Sequence, residues 1–486
     1  MNPAPLSLDR QEKNLLKKIS GFAKNKKIRL YIVGGFLRDK LLHRQKDNPD
    51  IDFSLKKGAI NFAKRLAKRL KAGFVILDRE HGACRLVKRL NEKTYTLDFT
   101  DFRGNGLKQD LLHRDFTINT LTVELEKIFI SPNLSGLIID PYSGREDLKK
   151  KLIRVVNKRA FDEDPLRILR AFSLSSIFAF KIDKDTLRLI RLKKQKLARV
   201  SSERIRDELF KLFDAAKPFV YLKRLDELKA LKVVFPEVEA MRAVGQGPYH
   251  HLDVLAHSLE TLRQLEALII ELKNNKEIQD YLNEVISSER RRRALMKMAA
   301  LLHDIGKPAA RRREDGKIKF HGHERIGLEL TEDIAKRLRL SNDEIDALKK
   351  IVLWHLRPGY LADNDMLTPR AIFRYFRDTQ KEAVSTLLIS LADQRATRGP
   401  LTSKPSRLRH ERLCFTLIKE YFKRQKEKKL ARLINGNDLI KKFNLQPSPL
   451  FGKILREIEE LQAIGKVRTK REALETARKF INDSKP

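Results

Sequence analysis

Tyr31-Ile-Val-Gly-Gly-Phe-Leu-Arg-Asp39, followed after a polar gap by Asp50-Ile-Asp52-Phe-Ser54, decides how this chain is read. An apolar strand runs into the Gly34-Gly35 turn, where the missing side chains let backbone N–H groups approach a phosphate. A second strand then offers two carboxylates, and strand alternation places Asp50 and Asp52 on one face with Ile51 on the other. Carboxylates at that spacing can hold two hard divalent cations around a triphosphate, the arrangement of in-line nucleotidyl transfer. Alone, a Gly-Gly pair is usually just a turn and an Asp-x-Asp a solvated strand end, but their order and spacing together imply such a site.

Outward from this stretch, the pattern predicts helices over Gln11–Lys24 and Ala59–Lys71 and strands over Arg29–Val33, Gly73–Asp78, Ala83–Lys88 and Tyr95–Phe99. Asp98 ends the last of these strands and could bring a third carboxylate to the first two. Asp140-Pro-Tyr-Ser-Gly144 is a turn that closes this small mixed α/β head, and from Gly144 onward nearly everything reads as helical. Phe161-Asp-Glu163-Asp164-Pro165-Leu-Arg167-Ile-Leu-Arg170 reads as a helix start, with acids at the positive dipole end and proline in the first turn. That places Asp164 and Arg167 on one helical face, an acceptor beside a forked donor. Breaks at Val244–Pro248 and around Arg398–Ser406 divide the remainder. The expected architecture is an α+β head, a mixed sheet with helices over residues 1–143, followed by an all-α neck over 144–240, a helical domain over 241–400 and a basic helical tail over 401–486.

The 486 residues carry 103 Lys+Arg against 64 Asp+Glu, a formal net charge of +39. The excess cations lack matching acids, which points to a polyanionic partner, most simply nucleic acid. No stretch of eighteen apolar residues occurs and the N-terminus has no secretory pattern, so no membrane association is expected. Cys84 and Cys414 alone are too few for a disulfide framework, which fits a reducing cytoplasm.

Gly34-Gly35, Arg38-Asp39, Asp50-x-Asp52, Arg114-Asp115-Phe-Thr-x-Asn119 and Glu163-Asp164-x-x-Arg167 together resemble the class II tRNA nucleotidyltransferase and bacterial poly(A) polymerase family of the polymerase-β superfamily. The resemblance implies that Asp50 and Asp52 bind catalytic Mg²⁺, that Asp98 activates or positions an RNA 3′-hydroxyl, and that Gly34, Gly35 and Arg38 help hold the triphosphate. It implies ribose recognition and site support by Arg114, Asp115 and Asn119, and selection of CTP and ATP by Asp164 and Arg167, with Arg170 beside them. Cytosine and adenine each pair an exocyclic amine with a ring-nitrogen acceptor, so an Asp and an Arg suit both and leave uracil and guanine unsatisfied. The acceptor would be a tRNA 3′ end, with no DNA expected.

Downstream, His257, His303-Asp304, His323, His355 and Asp393 form an ordered set that resembles an HD-domain metal-dependent phosphohydrolase. The resemblance implies a primary divalent-metal site of His257, His303, Asp304 and Asp393, extended by His323 and His355; neither substrate nor metal is legible. The tail stretches Leu433–Leu439, Pro447–Gly452 and Lys470–Leu474 resemble the tRNA-gripping end of HD-bearing CCA-adding enzymes, and basic runs at Arg290–Arg293 and Arg311–Arg313 offer further phosphate contacts.

Only fifteen residues separate Asp98 from Arg114, and in this family a short loop there accompanies CC addition without the terminal A. CC-adding or A-adding specialists and a poly(A) polymerase therefore stand beside full CCA addition. An alternative of another class is an HD phosphohydrolase or nuclease whose basic head only binds RNA.

Overall fold

A computed structural model describes residues 8–130, 134–364, 367–427, 431–444, 446 and 448–483. Pro447, part of the tail resemblance, lies outside them. The chain divides into two compact units, one running to Glu208 and including Glu227–Val234, the other comprising Leu209–Asp226 and Phe235 onward.

The first unit begins with α1 (Arg10–Asn25), capped by Asp9 and Glu12 in a reciprocal capping box. Then come β1 (Leu30–Val33), α2 (Gly35–Leu41), β2 (Asp50–Leu55), α3 (Ala59–Leu70), β3 (Gly73–Asp78), β4 (Ala83–Leu90), β5 (Lys93–Asp101), α4 (Leu107–Leu112) and β6 (Thr122–Glu124). The six strands form one mixed sheet in the order β3-β4-β5-β2-β1-β6. Only β2 and β5 within it run parallel. Alternation gives the sheet two unlike faces. Ile51, Phe53, Leu97, Phe99, Cys84 and Leu86 are buried on the side covered by α3, where Phe53 and Phe99 stack at 4.7 Å and Phe62 tilts onto Phe99. The other side carries Asp50, Asp52 and Asp98. Asp98 lies within β5, three residues before its end, and the expectation that it ends a strand is corrected accordingly.

After the head come α5 (Gly144–Lys149), β7 (Leu152–Ile153), α6 (Ala160–Glu163), α7 (Arg167–Phe178), β8 (Lys181–Ile182), α8 (Lys184–Lys193) and α9 (Ser202–Asp214). A short parallel pairing of β7 with β8 interrupts the helical pattern. The single helix start expected over Phe161–Arg170 is instead a break between α6 and α7. The ring of Pro165 disfavours helical backbone at the residue before it, and Asp164 adopts extended angles, φ −147° and ψ 100°. Asp164 and Arg167 therefore do not share a helical face.

The second unit is helical apart from two small hairpins, Val285–Ser287 with Arg290–Arg291 and Arg312–Glu314 with Lys317–Lys319. Its tail forms a separate cluster in which Leu439, Ile454, Ala473 and Ala477 are fully buried. The Arg290–Arg293 run is consumed internally: Arg290 binds Glu344, Arg292 binds Glu284 and Glu382, and Arg291 and Arg293 share Asp214. It is a fold element and not the free phosphate-binding patch expected of it, whereas Arg312 and Arg313 stand exposed on their hairpin. No helix among the described residues is long and apolar enough to cross a membrane.

Candidate functional site

On the open face of the head sheet, parallel pairing sets Asp52 directly opposite Asp98, and Asp50 opposite Thr96. The three expected carboxylates are thus brought together on neighbouring strands. Arg85 of β4, opposite Asp98, grips both its oxygens, with Nε and Nη2 each 2.8 Å away. Lys46 lies 3.7 Å from Asp50. Burial raises the Asp52 carboxyl above its ordinary value, opposed by the nearby Arg114 charge. A half-buried carboxylate that resists ionisation, beside two more, is a donor set suited to cations that offset the crowded negative charge.

Gly34 is required here by both space and conformation. Its φ is +78°, and a Cβ would stand 2.9 Å from Arg114 Nη1 and 3.5 Å from Asp52 Oδ2. Its N–H donates to the Leu121 carbonyl at 2.9 Å, so Gly34 supplies room and a turn and is not the phosphate donor expected of it. Arg38 also has another duty. Its Nε and Nη2 donate to Asp39, its Nη1 donates to Asn119 Oδ1 at 2.5 Å, and the guanidinium lies 4.5 Å from the Phe178 ring. It is buried, and braces the site from behind.

From Asn119 the network continues: Asn119 Nδ2 donates to Asp115 at 2.9 Å, and Arg170 Nε donates to the other Asp115 oxygen at 2.5 Å. Burial raises the Asp115 carboxyl, but the Arg170 charge and these hydrogen bonds outweigh it and hold the group below its ordinary value. Arg38, Asn119, Asp115 and Arg170 thereby tie α2 to α7.

A cleft of about 310 Å³ opens beside this network, lined among others by Arg114, Asp115, Asp164, Arg167, Arg170 and Arg204. Arg204, on α9, was not singled out from the sequence; its Nη2 donates to Asp164 at 2.8 Å. Arg167 donates to the carbonyls of His113, Arg114 and Ala160, which aims its fork by backbone contacts. Both expected base-selecting groups thus line one cleft, though through a Pro-induced turn and not a shared helix face.

In the second unit, His257, His303, Asp304, His323, His355 and Asp393 converge as expected. His257 Nε2 lies 2.9 Å from Asp393; Asp304 lies 3.3 Å from His303 and His323, 3.6 Å from His257 and 3.7 Å from His355. Two overlapping triads, His257–His303–Asp393 and His303–Asp304–His355, each place a ligand atom from every member within 4.8 Å of the others. Each of His303, His323 and His355 uses Nδ1 to meet the carbonyl three residues earlier, at 2.7–2.9 Å, and leaves a buried Nε2 without a hydrogen-bond partner. A donated Nδ1–H fixes the tautomer whose Nε2 lone pair faces the centre, the usual arrangement behind a metal-binding imidazole. The residues present fit a divalent cation.

Burial pushes His355 down to about 3. Burial raises Asp304, but the charges of His303 and Lys307 outweigh it and hold Asp304 well below its usual range. Two neighbours went unrecognised in the sequence. Lys307 Nζ reaches Asp304 at 2.6 Å and Gln246 at 2.7 Å, and the i,i+3 spacing of Asp304 and Lys307 was a usable signal. His250 packs edge-on to His257 at 4.8 Å from a loop whose backbone contacts Gly399, a pairing with no local signal.

Three family models match the chain: the poly A polymerase head domain over residues 30–154, the probable RNA and SrmB-binding site of polymerase A over 179–242, and the HD domain over 254–398. An A-adding tRNA nucleotidyltransferase of Deinococcus radiodurans is 30% identical over 453 residues, covering 91% of this chain and 93% of that protein. The chain belongs to the tRNA nucleotidyltransferase family. A CC-adding tRNA nucleotidyltransferase of Thermus thermophilus is 28% identical, with 91% of each chain covered. A multifunctional CCA protein of Legionella pneumophila is 30% identical over 343 residues, 68% of this chain and 75% of that one. The fold is that of a CCA-adding enzyme solved with ATP, at 22% identity and TM-score 0.65 over 98% of this chain and 95% of the other. Members of this family and HD domains generally use divalent metals, which agrees with both donor sets.

Proposed function

We propose that this tRNA nucleotidyltransferase adds CMP, AMP or both to the 3′ end of tRNA in the cytoplasm, using CTP and ATP. The observation that carries this reading is the convergence, within one unit, of the Asp52–Asp98 carboxylate pair and an Arg-rich cleft containing Asp164 and Arg167. Asp50 and Asp52 would hold Mg²⁺, which supplies charge neutralisation at the triphosphate and lowers the barrier to attack by a hydroxyl. Asp98, held by Arg85, positions the RNA 3′-hydroxyl. Arg114, next to Gly34 and Asp52, meets phosphate charge, and the Asp115–Asn119–Arg38 network keeps the neighbouring backbone in place. Asp164 accepts from the exocyclic amine of cytosine or adenine, and Arg167 donates to the ring nitrogen. Against uracil or guanine both would face like partners, which is how a buried polar site rejects a wrong base.

The domain assignment that accompanies this reading is a head over 1–143, a neck over 144–240 that selects the nucleotide, an HD phosphohydrolase over 241–400, and a tail over 401–486 that grips the tRNA body. The near full-length likeness to A-adding and CC-adding relatives, together with the short connection Phe102–Gly106 between β5 and α4, supports a specialist that builds part of the CCA end. At the HD site the three aligned imidazoles with Asp304 and Asp393 support hydrolysis of a phosphate ester with a divalent metal that activates water.

The test offers labelled tRNA ending at the discriminator base, after the first cytidine and after the second, with CTP and ATP singly and together. Incorporation restricted to one or two of these ends assigns the specialist class; a long A tail on any RNA would show a poly(A) polymerase, and no incorporation at any end would refute the proposal.

A further inference from the structure

The open face of the head sheet does not stop at the carboxylates. The register aligns Asp52 with Asp98, Asp98 with Arg85, and Arg85 with Val75, a row of four side chains across β2, β5, β4 and β3 on one face. Val87, two residues beyond Arg85 on β4, shares that face, and so does Leu77 on β3. Val75, Leu77 and Val87 are 54%, 52% and 41% exposed, and they form an apolar strip at the edge of the sheet. An exposed apolar edge strand invites aggregation, and most proteins blunt it with charge or cover it.

Resting on the nucleotidyl-transfer reading, we propose that this strip is the seat of the acceptor RNA's last few nucleotides, with Val75, Leu77 and Val87 against base faces and Arg85 at the intervening phosphate. Continuity with the catalytic carboxylates selects this occupant. Three strand spacings of about 4.8 Å put Val75 about 14 Å from Asp52, the span of about four stacked nucleotides at ~3.4 Å each. A strand whose 3′-hydroxyl reaches Asp98 must leave the site across some part of this face. Arg85 spends Nε and Nη2 on Asp98, and among the described residues its Nη1 has no hydrogen-bond partner, so one cationic N–H group faces the path. A protein partner or second copy seated on the strip would obstruct the same face that the hydroxyl must reach. Single-stranded nucleic acid matches the mixture of cation and apolar contact, because every base has a π-face and tolerates either neighbour.

The experiment compares the full-length wild type with the variant Val75→Thr, Leu77→Thr, Val87→Thr, which keeps strand propensity and removes apolar contact. The measured quantities are KM for a tRNA transcript lacking its 3′ nucleotides and KM for the incorporated nucleotide. The acceptor KM should rise about tenfold, the scale of one lost base contact, with the nucleotide KM within twofold of wild type. An unchanged acceptor KM in a folded variant, or a change confined to self-association, overturns the proposal. If the triple variant does not fold, Leu77→Thr alone is measured. A photocrosslinking amino acid at position 77 of the otherwise wild-type chain gives a second readout that does not require turnover. Crosslinks should fall on the last four nucleotides, and crosslinks only to the tRNA body, or none, contradict the seat. A wild type that binds and crosslinks but incorporates nothing would instead refute the nucleotidyl-transfer reading.

Discussion

Asp164 is held by Arg204, 2.8 Å away, and not by Arg167, which stands three residues on and donates to backbone carbonyls. The carboxylate that would read the base therefore has its own brace on a separate helix. The pair is exposed, so by itself it is worth at most ~1 kcal/mol. Arg204→Ala should raise KM for CTP and ATP by about two- to fivefold and lower discrimination against UTP and GTP by a similar factor, with the melting temperature unmoved. Arg204→Lys should recover most of the loss. Steady-state kinetics with each of the four nucleotides checks this, and an unchanged selectivity in the Ala variant would remove Arg204 from base selection.

The Asp115–Arg170 pair carries a pH signature. Because the native carboxyl titrates below its ordinary value of 3.8, its contribution to stability is complete above about pH 4 and is lost as the pH falls toward the lowered native value. Arg170 is 41% exposed, so breaking the pair should cost roughly 1–3 kcal/mol, less than a fully buried one. Asp115→Asn should melt about 5 °C below wild type from pH 5 to pH 8, with the gap closing below pH 4. Thermal melts across that range measure it, and a gap that widens in acid would contradict the assignment.

Gly34 should be irreplaceable. Ala at its φ of +78° is strained, and its Cβ enters the space of Arg114 and Asp52. Gly34→Ala is expected to lower kcat/KM for incorporation at least about a hundredfold while HD-site hydrolysis is retained. Equal loss of both activities would indicate general misfolding.

How much of this was legible in the sequence depended on range. The strands around Gly34-Gly35 and Asp50-x-Asp52 were readable because alternation and the glycine turn are local. The break at Pro165 was also local; the constraint on the residue before proline was outweighed by the acids and the proline that read as a helix start. The Asp315-Gly316 turn, with both φ positive, marks the Arg312–Lys319 hairpin, but strands of three residues show no period. The grip of Arg85 on Asp98 depends on strand register, and the partners of Arg290 and Arg292 include acids 54 and 90 residues away. No local pattern carries those. The convergence of six metal-ligating side chains was visible only through resemblance, since their spacing spans 136 residues from His257 to Asp393.

The two active sites should be separable. His303→Ala with Asp304→Ala is expected to abolish hydrolysis of a 2′,3′-cyclic phosphate and to lower the amount of divalent metal retained after gel filtration, with CMP or AMP incorporation within twofold of wild type. Concurrent loss of incorporation in a folded variant would contradict the assignment.

The most direct test of nucleotidyl transfer at the Asp52–Asp98 face is single-turnover incorporation of labelled CMP and AMP into trimmed tRNA by wild type and by Asp52→Asn. Wild type should extend the acceptor and Asp52→Asn should be slower by at least about a thousandfold, with RNA binding retained. Incorporation by Asp52→Asn at the wild-type rate would contradict the assignment of the reaction to this face.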